Sequence, residues 1–182
     1  MTKAALIVGL AVAAGTAHAG FFSESEPNNT LATADFVGSY GVPGGSAIVD
    51  GVVGDNDVDW FSFTLTNTAS LSAFAAFSGT SGADGVMQIV SGTDVIAFDD
   101  DSGVGLMPSL QLANLAAGTY YVGISGFGDA GAGSVASDEL FDGIGHQENF
   151  AYKLVLGFTV VPTPASAAML GFGGLLMARR RR

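Results

Sequence analysis

The sequence contains no cysteine and only six lysines and arginines in 182 residues. The first absence excludes disulfides, thiolate catalysis and zinc–thiolate sites together. The second makes nucleic acid an unfavourable partner, because phosphate backbones are held by basic faces. Lys3 and Arg179, Arg180, Arg181 and Arg182 lie at the two ends, so Gly20 to Val161 holds one base, Lys153, against all 17 acids, a net −16. Such a surface repels phosphate and anionic lipid and attracts cations. Histidine is as scarce, with only His18 and His146. A histidine-rich zinc centre therefore lacks its parts, and a Ser–His–acid triad would depend on His146, the one imidazole of the mature domain. Ser125 sits in Gly123-Ile124-Ser125-Gly126-Phe127, where Phe127 occupies the place of a nucleophile elbow's second glycine. Paired carboxylates remain, so a carboxylate-dependent extracellular glycan hydrolase using Asp138, Glu139 and Asp142 is an open alternative.

Apolar residues are not in short supply, at 48% of the chain, and the length suits one domain with a real core. Glycine is abundant: 27 residues, about 15% of the chain and roughly twice the average share. Without a collagen period, that abundance implies many turns and many short strands.

The two ends read as addresses. Met1 to Lys3 gives a basic start, Ala4 to Ala14 an apolar run, and Ala17-His18-Ala19 a small-x-small cleavage site. Residues 1–19 are thus expected to be a signal peptide, with the mature chain starting at Gly20. At the other end, Val161-Pro162-Thr163-Pro164 precedes an apolar run from Ala165 to Ala178 and the four arginines. Fourteen helical residues reach about 21 Å, short of a hydrocarbon core of about 30 Å, so spanning needs local thinning or flanking help. The terminal arginines would hold that segment with the domain outside. A plain membrane-anchored structural protein is the third reading left open.

Between the ends, alternation of period two dominates. Phe61, Phe63 and Leu65 alternate with Ser62, Thr64 and Thr66 as in a half-buried strand. Further strands are expected at 47–53, 70–77, 86–90, 95–98, 109–112, 119–125 and 150–160, separated by Gly, Ser and Asp turns. Eight strands at this spacing predict an all-β fold, a single jelly-roll-like antiparallel β-sandwich over residues 20–160. Residues 29–34 are a candidate helical turn capped by Asn29 or Thr30. The connection 127–149 is long for this architecture, and the loop-length prior favours disorder or a solvated flap over a dedicated binding site.

Three oxygen-rich stretches suit calcium, which takes six to eight oxygen ligands. In Glu24-Ser25-Glu26-Pro27-Asn28-Asn29, alternate residues of an extended chain place Glu24, Glu26 and Asn28 on one side. Asp55-Asn56-Asp57-Val58-Asp59 has EF-hand-like spacing, but Trp60 replaces the required glycine and Thr66 the bidentate Glu. Asp99-Asp100-Asp101 sets three like charges side by side and needs screening. Solvated turns are the competing reading for each. Among aromatics, Trp60 is out of phase with Phe61 and Phe63, and Tyr120 and Tyr121 point to opposite faces. Trp60 and Tyr121 are thus candidates for a ligand face, with burial of Trp60 under a loop the alternative.

Two resemblances add to this. Glu24-Ser25-Glu26-Pro27-Asn28-Asn29-Thr30, Asp57-Val58-Asp59-Trp60-Phe61-Ser62-Phe63, Gly118-Thr119-Tyr120-Tyr121-Val122-Gly123-Ile124 and Tyr152-Lys153-Leu154 together resemble the bacterial pre-peptidase C-terminal (PPC) domain, over about residues 23–158. The resemblance implies a compact, non-catalytic sandwich found beside secreted peptidases and in other exported proteins. The collagen-binding domains of clostridial collagenases are similar modules that bind calcium through an acidic N-terminal segment and an Asp-rich turn. Carried over, this implies Ca2+ ligands at Glu24, Glu26, Asn28, Asn29, Asp57 and Asp59, with Asp55 as a spare. Asn29 stands where that family often has Asp. Residues 161–182 resemble the PEP-CTERM sorting signal, with Thr163 in place of the usual Glu. That implies transient inner-membrane anchoring, cutting by an exosortase-type enzyme, and a cell-surface or extracellular destination where the domain adheres or binds a polysaccharide or protein polymer.

Overall fold

The computed structural model describes residues 18–79, 82–130 and 139–161. Ten strands follow one another: β1 (His18–Ser23), β2 (Asp35–Tyr40), β3 (Gly45–Val53), β4 (Val58–Leu65), β5 (Ala69–Phe77), β6 (Gly85–Ser91), β7 (Asp94–Asp99), β8 (Ser109–Leu115), β9 (Gly118–Ala130) and β10 (Phe150–Val160). They form two five-stranded sheets, ordered β1-β3-β10-β5-β8 and β2-β4-β9-β6-β7. The expected all-β sandwich is present, with two corrections. There are ten strands rather than eight, and the sheets are mixed rather than antiparallel, because β1 runs parallel to β3 and β2 parallel to β4. Both added strands lie at sheet edges.

The core lies between the sheets, and period two decides which side chains reach it. Phe61, Phe63 and Leu65 of β4 meet Tyr152, Leu154, Leu156 and Phe158 of β10, all at most 4% exposed. Phe158 stacks on Tyr40 with ring centroids 3.9 Å apart and tilts against Phe63 at 4.9 Å. Ala69, Ala73 and Ala75 on β5 leave room for these rings.

β4 differs from the half-buried strand that its sequence suggests, for Val58 to Phe63 are all buried on both faces. Its outer face carries a second apolar cluster of Val58, Trp60, Val86, Val90 and Phe141. Residues 139–149 supply the cover. Where the loop-length argument favours disorder or a solvated flap, this segment is strapped down. Gln88 donates to Glu139 O at 2.7 Å and accepts from Phe141 N at 3.2 Å, and Asp129 accepts from Asp142 N and Gly143 N at 3.2 and 2.9 Å. Residues 30–33 form a turn closed by Thr33 N donating to Thr30 O at 3.0 Å, not a helix. No helix among the described residues is long and apolar enough to cross a membrane. The expected signal sequence up to residue 17 and the sorting tail from Pro162 onward lie outside the described residues.

Candidate metal centre

The acidic N-terminal segment stitches the two sheets together at one end of the sandwich. Glu24 N donates to Asp50 O at 3.0 Å and Glu24 Oε1 accepts from Val52 N at 2.8 Å, which prolongs the β1–β3 pairing by one residue. The chain then crosses to the other sheet, where Asn28 O accepts from Trp60 N of β4 at 3.1 Å. Crossing there brings the segment over the start of β4. One carboxylate oxygen each of Glu26, Asp57 and Asp59 lies within 4.8 Å of the others. Oxygens on opposite sides of a calcium ion stand about 5 Å apart, since each bond is 2.3–2.6 Å.

Asp59 is the centre of this set and is fully buried. Its Oδ2 accepts from the Tyr152 hydroxyl at 2.7 Å. Burial, followed by the Glu24 carboxyl and the charge of Asp57, pushes the Asp59 pKa up to about 9. Glu24 is raised as well, first by burial, and its Oε2 is buried with only the Asp59 carboxyl to share a proton with it. The Asn28 carboxamide, also fully buried, places one terminal atom 3.3 Å from Glu26 Oε2 and 3.2 Å from Asp59 Oδ1. Turned nitrogen-inward it donates to both carboxylates. Turned oxygen-inward it repels both unless a cation lies between them. Asn29 Nδ2 donates to Asp57 Oδ1 at 2.5 Å, and Gly54 N to Asp57 Oδ2 at 3.1 Å, so the turn before β4 is held by the same carboxylate. All the candidate donors are hard oxygens and one buried oxygen has only another carboxyl as its partner, which fits calcium or another hard divalent cation.

Among the described residues no lysine or arginine answers these charges. Lys153, the one base between Gly20 and Val161, pairs with Asp50 on the outer face of the first sheet.

Residues 57–126 match the family model of the bacterial pre-peptidase C-terminal domain. The matched stretch is 70 residues long, under half of the chain. The match includes Asp57 and Asp59 and begins after the Glu24–Asn29 segment. Among solved structures, the pre-peptidase C-terminal domain of a Bacillus anthracis collagenase is similar at 13% identity and a TM-score of 0.42, over 68% of this chain and 93% of that one. PliG of Aeromonas hydrophila, a periplasmic inhibitor of g-type lysozyme, is similar at 15% identity and a TM-score of 0.42, over 69% and 100%. No curated protein matches the chain.

The fold brings Glu24, Glu26, Asn28, Asn29, Asp57 and Asp59 to one place. Asp55 stays apart, exposed at the tip of the turn. Trp60 does not offer a ligand face: it is 1% exposed, because Phe141 covers it at a centroid distance of 6.3 Å. Tyr121 is half-buried against the same cluster. Asp99 caps its own turn by accepting from Ser102 N, Ser102 Oγ and Ser109 N. Asp100 and Asp101 instead meet Asp84 in a second carboxylate group whose oxygens also lie within 4.8 Å of one another. Burial and the Asp100 and Asp101 charges raise Asp84 to about 6. The sequence reading missed Tyr152 and Asp84. Tyr152 was legible in principle, because alternation in β10 turns it inward and a buried hydroxyl needs a partner.

Proposed function

We propose that this chain is an exported, non-catalytic PPC-type sandwich in which a calcium ion staples the N-terminal segment to β4. Its role is adhesion or polymer binding at the cell surface or in the extracellular matrix. One observation carries the reading: a fully buried carboxylate, Asp59, stands among Glu24, Glu26 and Asp57 with no lysine or arginine beside it among the described residues. A divalent cation offsets that repulsion. Glu26, Asp57 and Asp59 would hold it directly, and Glu24 and the Asn28 carboxamide are placed to complete the shell. The tail 161–182 would supply transient inner-membrane anchoring and be removed by an exosortase-type enzyme. Its Pro motif, apolar run and terminal arginines support that reading.

The test is thermal melting of the intact protein with calcium and with chelator. Calcium at about 100 times its dissociation constant adds about 2.7 kcal/mol, which raises Tm by about 5–10 °C for a chain of this size. Glu26→Ala and Asp57→Ala should each abolish the rise. An equal rise in both variants would place the ion elsewhere, and no rise in the wild type would reduce the cluster to a turn.

A further inference from the structure

The strap 139–149 is built onto the candidate cation loop through the backbone of Asp57 rather than through its carboxylate. His146 is 1% exposed, and its Nε2 lies 3.2 Å from Asp57 N and 2.8 Å from Asp57 O. Either tautomer therefore bonds the Asp57 backbone. Gly143, at φ +78°, rests on the same peptide, where an added Cβ would stand 3.0 Å from Asp57 C and 3.1 Å from Asp57 Cα. Ser125 Oγ lies 3.0 Å from Asp57 O and donates its proton to Asp129 at 2.6 Å, and Asp129 reaches the strap by accepting from Gly143 N as well. The strap's other function is to cover Trp60 with Phe141. Trp60 in turn donates its backbone N–H to Asn28 O and follows Asp59 directly.

From this we infer that the strap is the positioning element of the cation site, and that cation binding and strap closure over Trp60 are coupled. His146 and Phe141 contribute no ligand atom to the site. They fix the Asp57 peptide, which aims the carboxylate. Coupling between two such events is reciprocal, so whatever the strap adds to cation affinity the cation adds to strap closure. The inference rests on the calcium staple proposed above and extends it to an element that carries none of the proposed ligands.

Trp60 is the only tryptophan, so the intact protein carries its own reporter. In chelator-stripped protein, calcium should lower acrylamide quenching of Trp60 several-fold. It should also slow amide exchange at Phe141, Asp142 and Gly143 by about tenfold, within the usual range of such couplings. His146→Ala and Phe141→Ala should weaken calcium binding, measured by titration calorimetry, by about tenfold. His146→Gln, which keeps a polar group near Asp57, should lose less. The exchange measurement needs no variant, so a misfolded substitution does not remove the test. If calcium binds the wild type while strap exchange and Trp60 quenching stay unchanged, the coupling is wrong and the staple stands. If calcium does not bind the wild type at all, both readings fall together.

Discussion

At the level of single residues, Asp59 sets the pH behaviour. Its carboxyl in the folded chain titrates near 9, far above an ordinary aspartate, because burial and the Glu24 carboxyl disfavour its charge. Between the two values the folded state binds more protons than the unfolded one, so without calcium stability falls as pH rises from about 4 towards 9. Asp84, raised to about 6, adds to the same slope at its lower end. Melting in chelator should therefore show Tm decreasing from pH 5 to 9, and Asp59→Asn should flatten that decline. Calcium should flatten it in the wild type, since the ion takes the proton's place. Gly51 gives a second prediction. A Cβ there would stand 2.4 Å from the Tyr152 hydroxyl and 2.7 Å from Glu24 Oε2, so no other residue lets both groups close on Asp59. Gly51→Ala should cost about 1–3 kcal/mol and lower Tm more with calcium than with chelator. Asp57 and Asp59 were legible as candidate ligands from residue type and charge density. Their convergence with Glu24 and Tyr152 was not, because it depends on which strands lie side by side.

Individual strands and the strap differ in how far a lost side chain is felt. Phe158 lies in the main core between Tyr40 and Phe63, held on both sides by paired strands, so Phe158→Ala should cost about 3–5 kcal/mol and lower the urea midpoint with an unchanged slope. Phe141 is as well buried but sits on an irregular segment. Phe141→Ala should cost less in the urea midpoint, because the strap opens locally without unfolding the sheets. The same contrast explains which elements the sequence revealed. β5 and β10 alternate cleanly and were readable residue by residue, whereas in β4 only the inward face was, since its outer face is buried too. β2 was not, since Asp35 to Tyr40 contains a register shift between Phe36 and Ser39 beside Gly38 at φ +127°. β1 was hidden because its first two residues coincide with the expected cleavage triplet. The second cluster over Trp60 has no periodic signature, for one of its walls is the strap.

Across the whole molecule, charge is distributed by end. β4 and β6 both start opposite the far part of β9, with Val58 facing Ser125 and Gly85 facing Gly126, so the Glu26–Asp57–Asp59 and Asp84–Asp100–Asp101 groups share one end of the sandwich. The strap joins them, His146 touching Asp57 and Glu148 Oε2 accepting from Asp84 N at 3.1 Å. β10 starts at this end with Phe150 and leaves the sheet at the other, where Val161 N donates to Thr68 O at 2.9 Å. Its 11 residues span about 35 Å, several times the Debye length of about 8 Å at physiological salt. If the tail beyond Val161 enters a bilayer, the acidic end stands away from it and the lipid charge is screened out. Calcium competition against terbium luminescence sensitised by Trp60 should then give midpoints within about twofold for the full chain in neutral and in anionic vesicles at that salt. A shift of tenfold or more would mean that the acidic end faces the membrane, and the direction of exit from β10 would have to be reinterpreted.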